Sequence, residues 1–172
     1  MTRVAKKNII LIGFMGVGKG RTARELASQT GNFAIDTDDL IESLTKTKIR
    51  KIFASQGESS FRKIEQQAAD WLRHNVSSTI VSTGGGFFMV KNIRKLGKIV
   101  YLHSSLEGII SSIIEHPNGL KKIKKRPLLE DLEQAKILYE KRLPLYRKAA
   151  DYEINVEGRD IVEVAKEIVK QL

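Results

Sequence analysis

Several residues of this sequence have types and spacings that suit phosphate chemistry. The spacing G-x-x-x-x-G-K is filled by Gly13, Gly18 and Lys19, with a further glycine at Gly16, after the apolar run 8–13. Glycine lets the backbone adopt positive φ angles and turn its N–H groups towards phosphate oxygens. A lysine at the end of such a loop supplies a positive charge for the β- and γ-phosphates of a nucleotide. The motif therefore predicts a phosphate-binding loop for ATP, rather than a mere turn between a strand and a helix.

Gly20 departs from the usual pattern of such loops. A Ser or Thr hydroxyl normally ligates Mg²⁺ at this position, and Gly20 has none. Because Mg²⁺ readily keeps several waters, a water could take the vacant place. Thr22 lies about 200° further round a helix and is not expected to replace the hydroxyl. Arg21 has no acceptor atom for a metal. Its side chain either approaches a phosphate or points outward into solvent, and the outward position is favoured.

Two aspartates, Asp36 and Asp38, stand at the end of the predicted strand 33–36. The carboxyl ends of parallel strands are where ligands bind in open α/β sheets. Two carboxylates beside a phosphate loop suit two tasks, because one can hold hydrated Mg²⁺ and the other can accept a proton from an attacking hydroxyl. The alternative for Asp38 is an N-cap of the helix that starts there, since Asp is favoured at that position.

Arg62 and Glu65 lie three residues apart in a predicted helix and can form an ion pair. Such a pair is either a solvated surface contact or an arginine that a carboxylate holds in place for an anionic substrate. The sequence by itself favours the surface contact, because nothing in the spacing shows burial.

Three glycines, residues 84–86, follow the predicted strand 79–83 in the stretch "STGGG". A run of this kind lets the backbone approach a ligand closely, or it forms only a tight turn. We favour the close approach, because three consecutive glycines are entropically costly. The neighbouring hydroxyls of Ser82 and Thr83 could position a water bound to Mg²⁺.

The elements that must position these residues alternate between apolar strands and amphipathic helices. Strands are predicted at 8–13, 33–36, 79–83, 98–103 and 152–156, and helices at 19–29, 38–46, 58–74, 105–115, 131–149 and 159–171. This alternation predicts a parallel sheet covered by helices. No linker or repeat divides residues 1–172, so we expect one domain. The irregular stretch 115–131 predicts a surface loop of a length typical of functional lids.

The composition excludes several classes of function. The chain contains no cysteine, so it has neither disulfides nor thiolate metal sites. No run approaches the ~20 apolar residues of a membrane span, and the apolar start leads into the glycine loop rather than to a cleavage site. We expect a cytoplasmic location and no membrane partner. The net charge of +10 would suit nucleic acid, but aromatic residues make up only 6%. Stacking on single strands is therefore not expected.

The sequence resembles the shikimate kinases over about residues 8–172. The motifs that carry the resemblance, in the expected order, are "GFMGVGK", "DTDDLIE", "IFASQGESSFRKIE", "STGGG", "KRPLL" and "EKRLPLYRKAA". Many NTPases share the first motif, whereas the combination is specific. The resemblance implies a three-layer P-loop NTPase fold with a five-stranded parallel sheet in the order 2-3-1-4-5, helices on both faces and a lid loop. It also implies ATP-dependent phosphorylation of the 3-hydroxyl of shikimate in aromatic amino-acid synthesis.

On the nucleotide side, the resemblance implies a role for each matching residue. Asp38 would act as the base, while Lys19 and the lid residue Arg126 would neutralise charge on the phosphates. Asp36 would help to hold the waters of the cofactor Mg²⁺. The ATP-binding residues would be Gly13, Met15, Gly16, Val17, Gly18, Lys19, Gly20, Arg21 and Arg126.

On the substrate side, the resemblance implies a region over residues 38–75 and a carboxylate held by Arg62 and Arg142. Asp38 would bind the hydroxyls of shikimate, and its ring would lie against Gly84, Gly85 and Gly86. These residue types suit the task, because guanidinium groups donate paired hydrogen bonds to a carboxylate and an ionised aspartate only accepts them. We expect shikimate and ATP as the partners of a monomer.

Three alternative functions stay open. Gly20 and Arg21 replace the usual Ser-Thr pair, which allows a degenerate kinase that binds shikimate or nucleotide without turnover. A second alternative is another small-molecule P-loop kinase, for gluconate or a nucleotide, although Arg62 and Arg142 favour a carboxylate substrate. The third, a nucleic-acid-binding protein, rests on net charge alone.

Overall fold

A five-stranded parallel sheet forms the centre of the protein. The computed structural model describes residues 7–117, 129 and 131–172. The strands are β1 (Asn8–Ile12), β2 (Ala34–Asp36), β3 (Ile80–Ser82), β4 (Gly97–His103) and β5 (Tyr152–Asn155). Their order is β2-β3-β1-β4-β5, and each neighbouring pair is parallel. The predicted strand order 2-3-1-4-5 is therefore confirmed.

Helices cover both faces of this sheet. Those of the described residues are α1 (Lys19–Thr30), α2 (Thr37–Thr45), α3 (Ile49–Asn75), α4 (Leu106–Ile114), α5 (Leu132–Ala149) and α6 (Ile161–Gln171). Two 3-10 turns, Phe87–Met89 and Ile93–Lys95, connect β3 to β4. Within residues 7–117, 129 and 131–172, no helix combines the length and the apolar character needed to cross a bilayer.

The central strand β1 supplies side chains to two separate cores. Ile10 packs in a cluster with residues of α3, α4 and α5, whereas Leu11 packs in a cluster with residues of α1 and α6. Successive side chains of a strand point to opposite faces, so an unbroken apolar run is what a strand buried on both faces requires. The three-layer arrangement predicted from the sequence is confirmed.

The third helix begins earlier than the sequence predicted. The prediction was a helix over 58–74, whereas α3 runs from Ile49 to Asn75. Gly57 interrupts it with φ 78° and ψ 171°, so two helical segments meet there. The earlier segment is held by Ile52, which is buried in a small cluster with Ile41 of α2. This contact joins residues eleven positions apart, and helical periodicity within 49–57 does not reveal it.

We predict that Gly97→Ala destabilises the sheet. Gly97 of β4 lies opposite Asn8 of β1, and a Cβ on Gly97 would lie 2.7 Å from the carbonyl carbon of Asn8. Relief requires movement of strand backbone, and such overpacking costs about 1–3 kcal/mol. Urea unfolding should show this loss in the free energy of unfolding. Gly20→Ala is the control, because its Cβ would meet no atom closer than 3.7 Å; equal midpoints for the two variants would contradict the prediction.

Candidate active site

The loop between β1 and α1 has the geometry of a phosphate cradle. Gly16 and Gly18 have φ angles of 84° and 101°, which residues with a side chain rarely adopt. Gly18 is also the N-cap of α1, so the free N–H groups and the positive end of that helix face the loop. The first turn of α1 carries no acidic residue that would offset this positive end. The loop can therefore bind an anion such as a phosphate.

Lys19 is held inside this loop. Its side chain is buried, and Nζ donates hydrogen bonds to the carbonyl oxygens of Gly13 at 2.8 Å and Phe14 at 3.0 Å. These two bonds place the ammonium group within the cradle, where it can neutralise phosphate charge.

The cradle opens into a cavity of about 1030 Å³. Predicted ATP-binding residues that line it are Met15, Gly16, Val17, Gly18, Lys19, Gly20 and Arg21. Gly13 is not among the lining residues; a Cβ on it would lie 2.7 Å from the carbonyl oxygen of Leu102, so this glycine lets the loop pack against β4. Arg126 lies outside the described residues, as does most of the predicted lid over 115–131.

A small polar site lies beside Gly20. Asp36 Oδ2 accepts a hydrogen bond from Ser82 Oγ at 2.7 Å. A Cβ built on Gly20 would lie 3.9 Å from Asp36 Oδ2 and 3.8 Å from Ser82 Oγ. Oxygen donors are the ligands that Mg²⁺ prefers, so these residues fit a hydrated Mg²⁺ whose waters they would hold. In the described part of the chain, no three His, Asp or Glu side chains form a metal-binding cluster by themselves.

The structure corrects the capping alternative for Asp38. Strand β2 ends at Asp36, and Asp36 is the N-cap of α2, because its Oδ1 accepts from the N–H groups of Asp38 at 2.9 Å and Asp39 at 3.4 Å. Asp38 lies in the first turn of α2 instead. A helical turn, rather than a continued strand, brings Asp36 and Asp38 to the same cavity.

The glycine run after β3 is anchored to strand β1 and to the start of helix α2. Thr83 Oγ1 donates to the carbonyl oxygen of Leu11 in β1 at 2.8 Å, and the N–H of Gly84 donates to Thr37 Oγ1 at 3.2 Å. The Thr83 hydroxyl is thus bound to backbone and the Ser82 hydroxyl to Asp36, and both residues line the cavity. Their role in positioning a water of Mg²⁺ stays a prediction.

Two carboxylates converge on Gly84. A Cβ on Gly84 would lie 2.7 Å from Asp38 Oδ1 and 3.2 Å from Glu65 Oε1. Both of these oxygens are buried, and neither has a hydrogen-bond partner among the described residues. Buried polar atoms are normally paired, so two unpaired acceptors at one place indicate a site for a donor such as a hydroxyl.

The charge states of these carboxylates follow from their surroundings. Burial, with the nearby charge of Asp36, raises the pKa of Asp38 to about 7, although Lys19 acts in the opposite direction. Burial also raises the pKa of Glu65, and the Arg62 guanidinium offsets part of this effect. A carboxylate with a pKa near neutrality is well matched to accept and release a proton at cellular pH.

Arg62, which is half-buried, forms an ion pair with the buried Glu65. Its Nη1 donates to Oε2 of Glu65, whose side chain is fully buried, and its Nε and Nη2 donate to Glu58 Oε1 at 3.1 and 2.8 Å. The solvated surface contact favoured by the sequence is therefore wrong. The guanidinium packs against Gly86, because a Cβ there would overlap its atoms. Arg62 keeps N–H donors beyond these three bonds, and they are available to an anionic substrate.

Arg142 meets the same glycine run from α5. It is 9% exposed, and its Nη1 donates to the carbonyl oxygen of Gly85 at 3.3 Å. Tyr146, one turn later, donates its hydroxyl to the same oxygen at 2.5 Å. Sequence reasoning missed Tyr146, whose only signal was its place in "EKRLPLYRKAA". A Cβ on Gly85 would also lie 3.5 Å from the Met15 nitrogen, so this glycine joins the substrate side to the phosphate loop.

The fold and the site together define a P-loop kinase. The strand order, the phosphate cradle after β1 and a polar pocket at the carboxyl edge of the same sheet are its elements. The sequence profile of the shikimate kinase family matches residues 15–172. The chain belongs to the shikimate kinase family.

Curated relatives and solved structures agree with this assignment. The chain is 38% identical to a shikimate kinase of Helicobacter hepaticus, covering 95% of both chains. It is also 38% identical to one of Thermodesulfovibrio yellowstonii, covering 96% of this chain and 94% of the relative. A shikimate kinase of Acinetobacter baumannii solved in complex with shikimate is 28% identical, with a TM-score of 0.75, covering 98% of this chain and 93% of that one. The Bacteroides thetaiotaomicron shikimate kinase, at 23% identity and a TM-score of 0.83, shows the same fold over 97% and 98% of the two chains.

We predict that Asp38→Asn stabilises the protein at pH 8. Since the pKa of Asp38 rises from 3.8 to about 7 on folding, the folded state holds a proton that the unfolded chain has lost between those pH values. The free energy of unfolding of the wild type therefore falls as pH rises through this window. The Asp38→Asn variant does not lose this stability, because its amide carries no charge at either pH. We expect the free energy of unfolding to rise by at least about 1 kcal/mol at pH 8 and by less at pH 5.

Urea unfolding at both pH values measures this difference. Asp39→Asn is the matched control, because Asp39 is exposed in the same turn of α2, and it should show no gain at either pH. A gain for Asp38→Asn that is equal at pH 5 and pH 8 would contradict the raised pKa.

Proposed function

We propose that this protein transfers the γ-phosphoryl group of ATP to the 3-hydroxyl of shikimate, yielding shikimate 3-phosphate and ADP in aromatic amino-acid synthesis. The observation that carries the proposal is the convergence of Asp38, Arg62 and Arg142 on the glycine run 84–86. Gly84 and Gly85 of that run line the cavity of the phosphate cradle, together with Asp38 and Lys19. Arg62 and Arg142 are not among its lining residues and approach the run from outside the cavity.

The substrate proposal rests on charge and hydrogen-bonding capacity. Shikimate is a small carboxylate with three hydroxyls. Arg62 and Arg142 would bind its carboxylate, since each guanidinium can donate paired hydrogen bonds. The unpaired oxygens of Asp38 and Glu65 would accept from its hydroxyls. The absence of side chains at Gly84 and Gly86 lets Asp38, Glu65 and Arg62 approach the backbone there, where they would meet the substrate.

Asp38 is proposed as the base of the reaction. The 3-hydroxyl oxygen would form a bond to the γ-phosphorus while the bond from that phosphorus to the β-phosphate oxygen breaks, and the hydroxyl proton would pass to the Asp38 carboxylate. The pKa of about 7, raised chiefly by burial, makes this carboxylate a stronger base than an exposed aspartate. Phosphoryl transfer otherwise requires mainly positioning and charge neutralisation.

ATP would bind with its phosphates in the loop between β1 and α1. Lys19, the N–H groups at the start of α1 and its helix dipole would neutralise the phosphate charge. Mg²⁺, when bound, would supply further positive charge to the phosphates. Asp36 and Ser82 would hold its waters, because the side chain that usually ligates it is missing at Gly20. Arg126 as a further phosphate ligand stays a prediction.

A coupled assay of ADP release with shikimate and Mg-ATP tests the proposal. We expect turnover that depends on shikimate and that falls at least ~100-fold in Asp38→Asn, the loss typical of a general base. Asp39→Asn should retain activity. Binding of shikimate and ATP without turnover would instead favour the degenerate kinase, and turnover only with another acceptor would favour a different small-molecule kinase.

We predict that Arg142→Lys raises KM for shikimate about tenfold or more, because an ammonium cannot replace the paired hydrogen bonds of a guanidinium. KM for ATP should change much less, since Arg142 contacts the glycine run at Gly85 rather than the phosphate loop. The matched control is Arg147→Lys, one turn and a residue later, where the side chain is exposed and pairs with Glu153. An unchanged KM for shikimate in Arg142→Lys would contradict the role of Arg142.

We further propose that residues 1–172 act as one domain, with substrate binding over 38–75 and a lid over 115–131. A monomer and a cytoplasmic location stay predictions from the sequence.

A further inference from the structure

Arg24 reaches the place where the missing hydroxyl would stand. A Cβ built on Gly20 would lie 3.7 Å from Arg24 Nη1, closer than Ser82 Oγ at 3.8 Å and Asp36 Oδ2 at 3.9 Å. The three polar atoms therefore surround one point at the edge of the phosphate cradle. Arg24 also lines the cavity there. No motif in the sequence singles out this arginine.

The geometry of α1 explains this position. Arg24 lies four residues after Gly20, on the same face of the helix. Side chains of a helix lean towards its N-terminus, so the Arg24 side chain extends back over the turn that contains Gly20. The guanidinium thus lies beside the position that a hydroxyl on residue 20 would enter.

The charge of Arg24 is not used within the described structure. Its guanidinium forms no ion pair with the described residues, whereas the neighbouring Asp36 is engaged as a helix cap and with Ser82. A guanidinium cannot ligate a metal, since it has no acceptor, but its planar set of donors suits phosphate oxygens. The ligand that fits this group is therefore the triphosphate itself.

We propose that Arg24 binds the ATP phosphates through the space left by Gly20 and takes over part of the charge neutralisation that Mg²⁺ supplies. The inference rests on the ATP-binding part of the proposed function. Arg24 and hydrated Mg²⁺ then occupy adjacent places beside the phosphates, so the protein gains less ATP affinity from Mg²⁺ than a chain with a hydroxyl at residue 20 does.

Calorimetric titration with ATP, once with excess EDTA and once with saturating Mg²⁺, tests this without any turnover. We expect Arg24→Gln to weaken metal-free ATP binding about tenfold or more, as the loss of a charge-assisted hydrogen bond does. The loss with Mg²⁺ should be clearly smaller. Gly20→Ser should weaken metal-free binding, because its side chain enters the space that Arg24 uses, and should increase the gain in affinity from Mg²⁺, because its hydroxyl adds a ligand.

Arg73→Gln is the matched control, because Arg73 is exposed on α3 and lines no part of the cavity. It should leave ATP affinity unchanged in both titrations. Arg24→Lys keeps the charge without the planar donors and should fall between wild type and Arg24→Gln, which also guards against a folding defect in the glutamine variant. Metal-free affinities of Arg24→Gln and Arg73→Gln that agree would overturn the inference, and so would equal losses with and without Mg²⁺.

The shikimate assay separates this inference from the proposed function. One outcome is that the ATP affinities of the wild type and the variants follow the expected pattern while the wild type does not phosphorylate shikimate. In that case the proposed function fails and the role of Arg24 stands. If shikimate turnover is present but Arg24→Gln binds metal-free ATP as wild type does, the role of Arg24 fails alone.

Discussion

The substrate side of the site depends on the absence of side chains at residues 84–86. Asp38 and Glu65 approach Gly84, and Arg62 approaches Gly86, at places where a Cβ would overlap or crowd them, while Arg142 lies in ordinary contact range of Gly85. Charged groups can gather so closely only because the backbone leaves the space free. The Arg62–Glu65 pair then balances charge that would be costly to bury alone. A side chain on Gly84 or Gly86 would displace these charged groups.

The phosphate side is joined to this arrangement through the central strands. The cradle follows β1, the glycine run follows β3, and Thr83 ties the two together by bonding to Leu11. Lys19 and Asp38 line the same cavity. The charge of Lys19 lowers the pKa of Asp38, while burial and Asp36 raise it. The basicity of Asp38 is thus set by both halves of the site. The same burial that suits it to accept a proton disfavours its ionised form in the folded protein.

Particular residues show how far the sequence could predict the site. The glycine loop with Lys19 was predictable, because a strand, a fixed spacing and a following helix are local features. The strand order was implied only by the resemblance to the shikimate kinases. Capping of α2 by Asp36 rather than Asp38 was not predicted, because it depends on the exact residue at which strand β2 ends and the helix begins. Burial of Glu65 was missed as well, because a helical i,i+3 pair looks the same in the sequence whether it is exposed or covered by α5 and the glycine run.

The sequence by itself determined the alternation of strands and helices, the phosphate loop and the residue types available to bind phosphate and carboxylate. These follow from patterns within short segments, which backbone geometry and side-chain periodicity translate directly. Only the tertiary structure decided which carboxylates are buried, which of them has a raised pKa, and that Arg24 extends past Gly20 to the cradle. Those properties depend on distances between groups far apart in the chain, because burial and electrostatic interaction arise only when separate elements pack together.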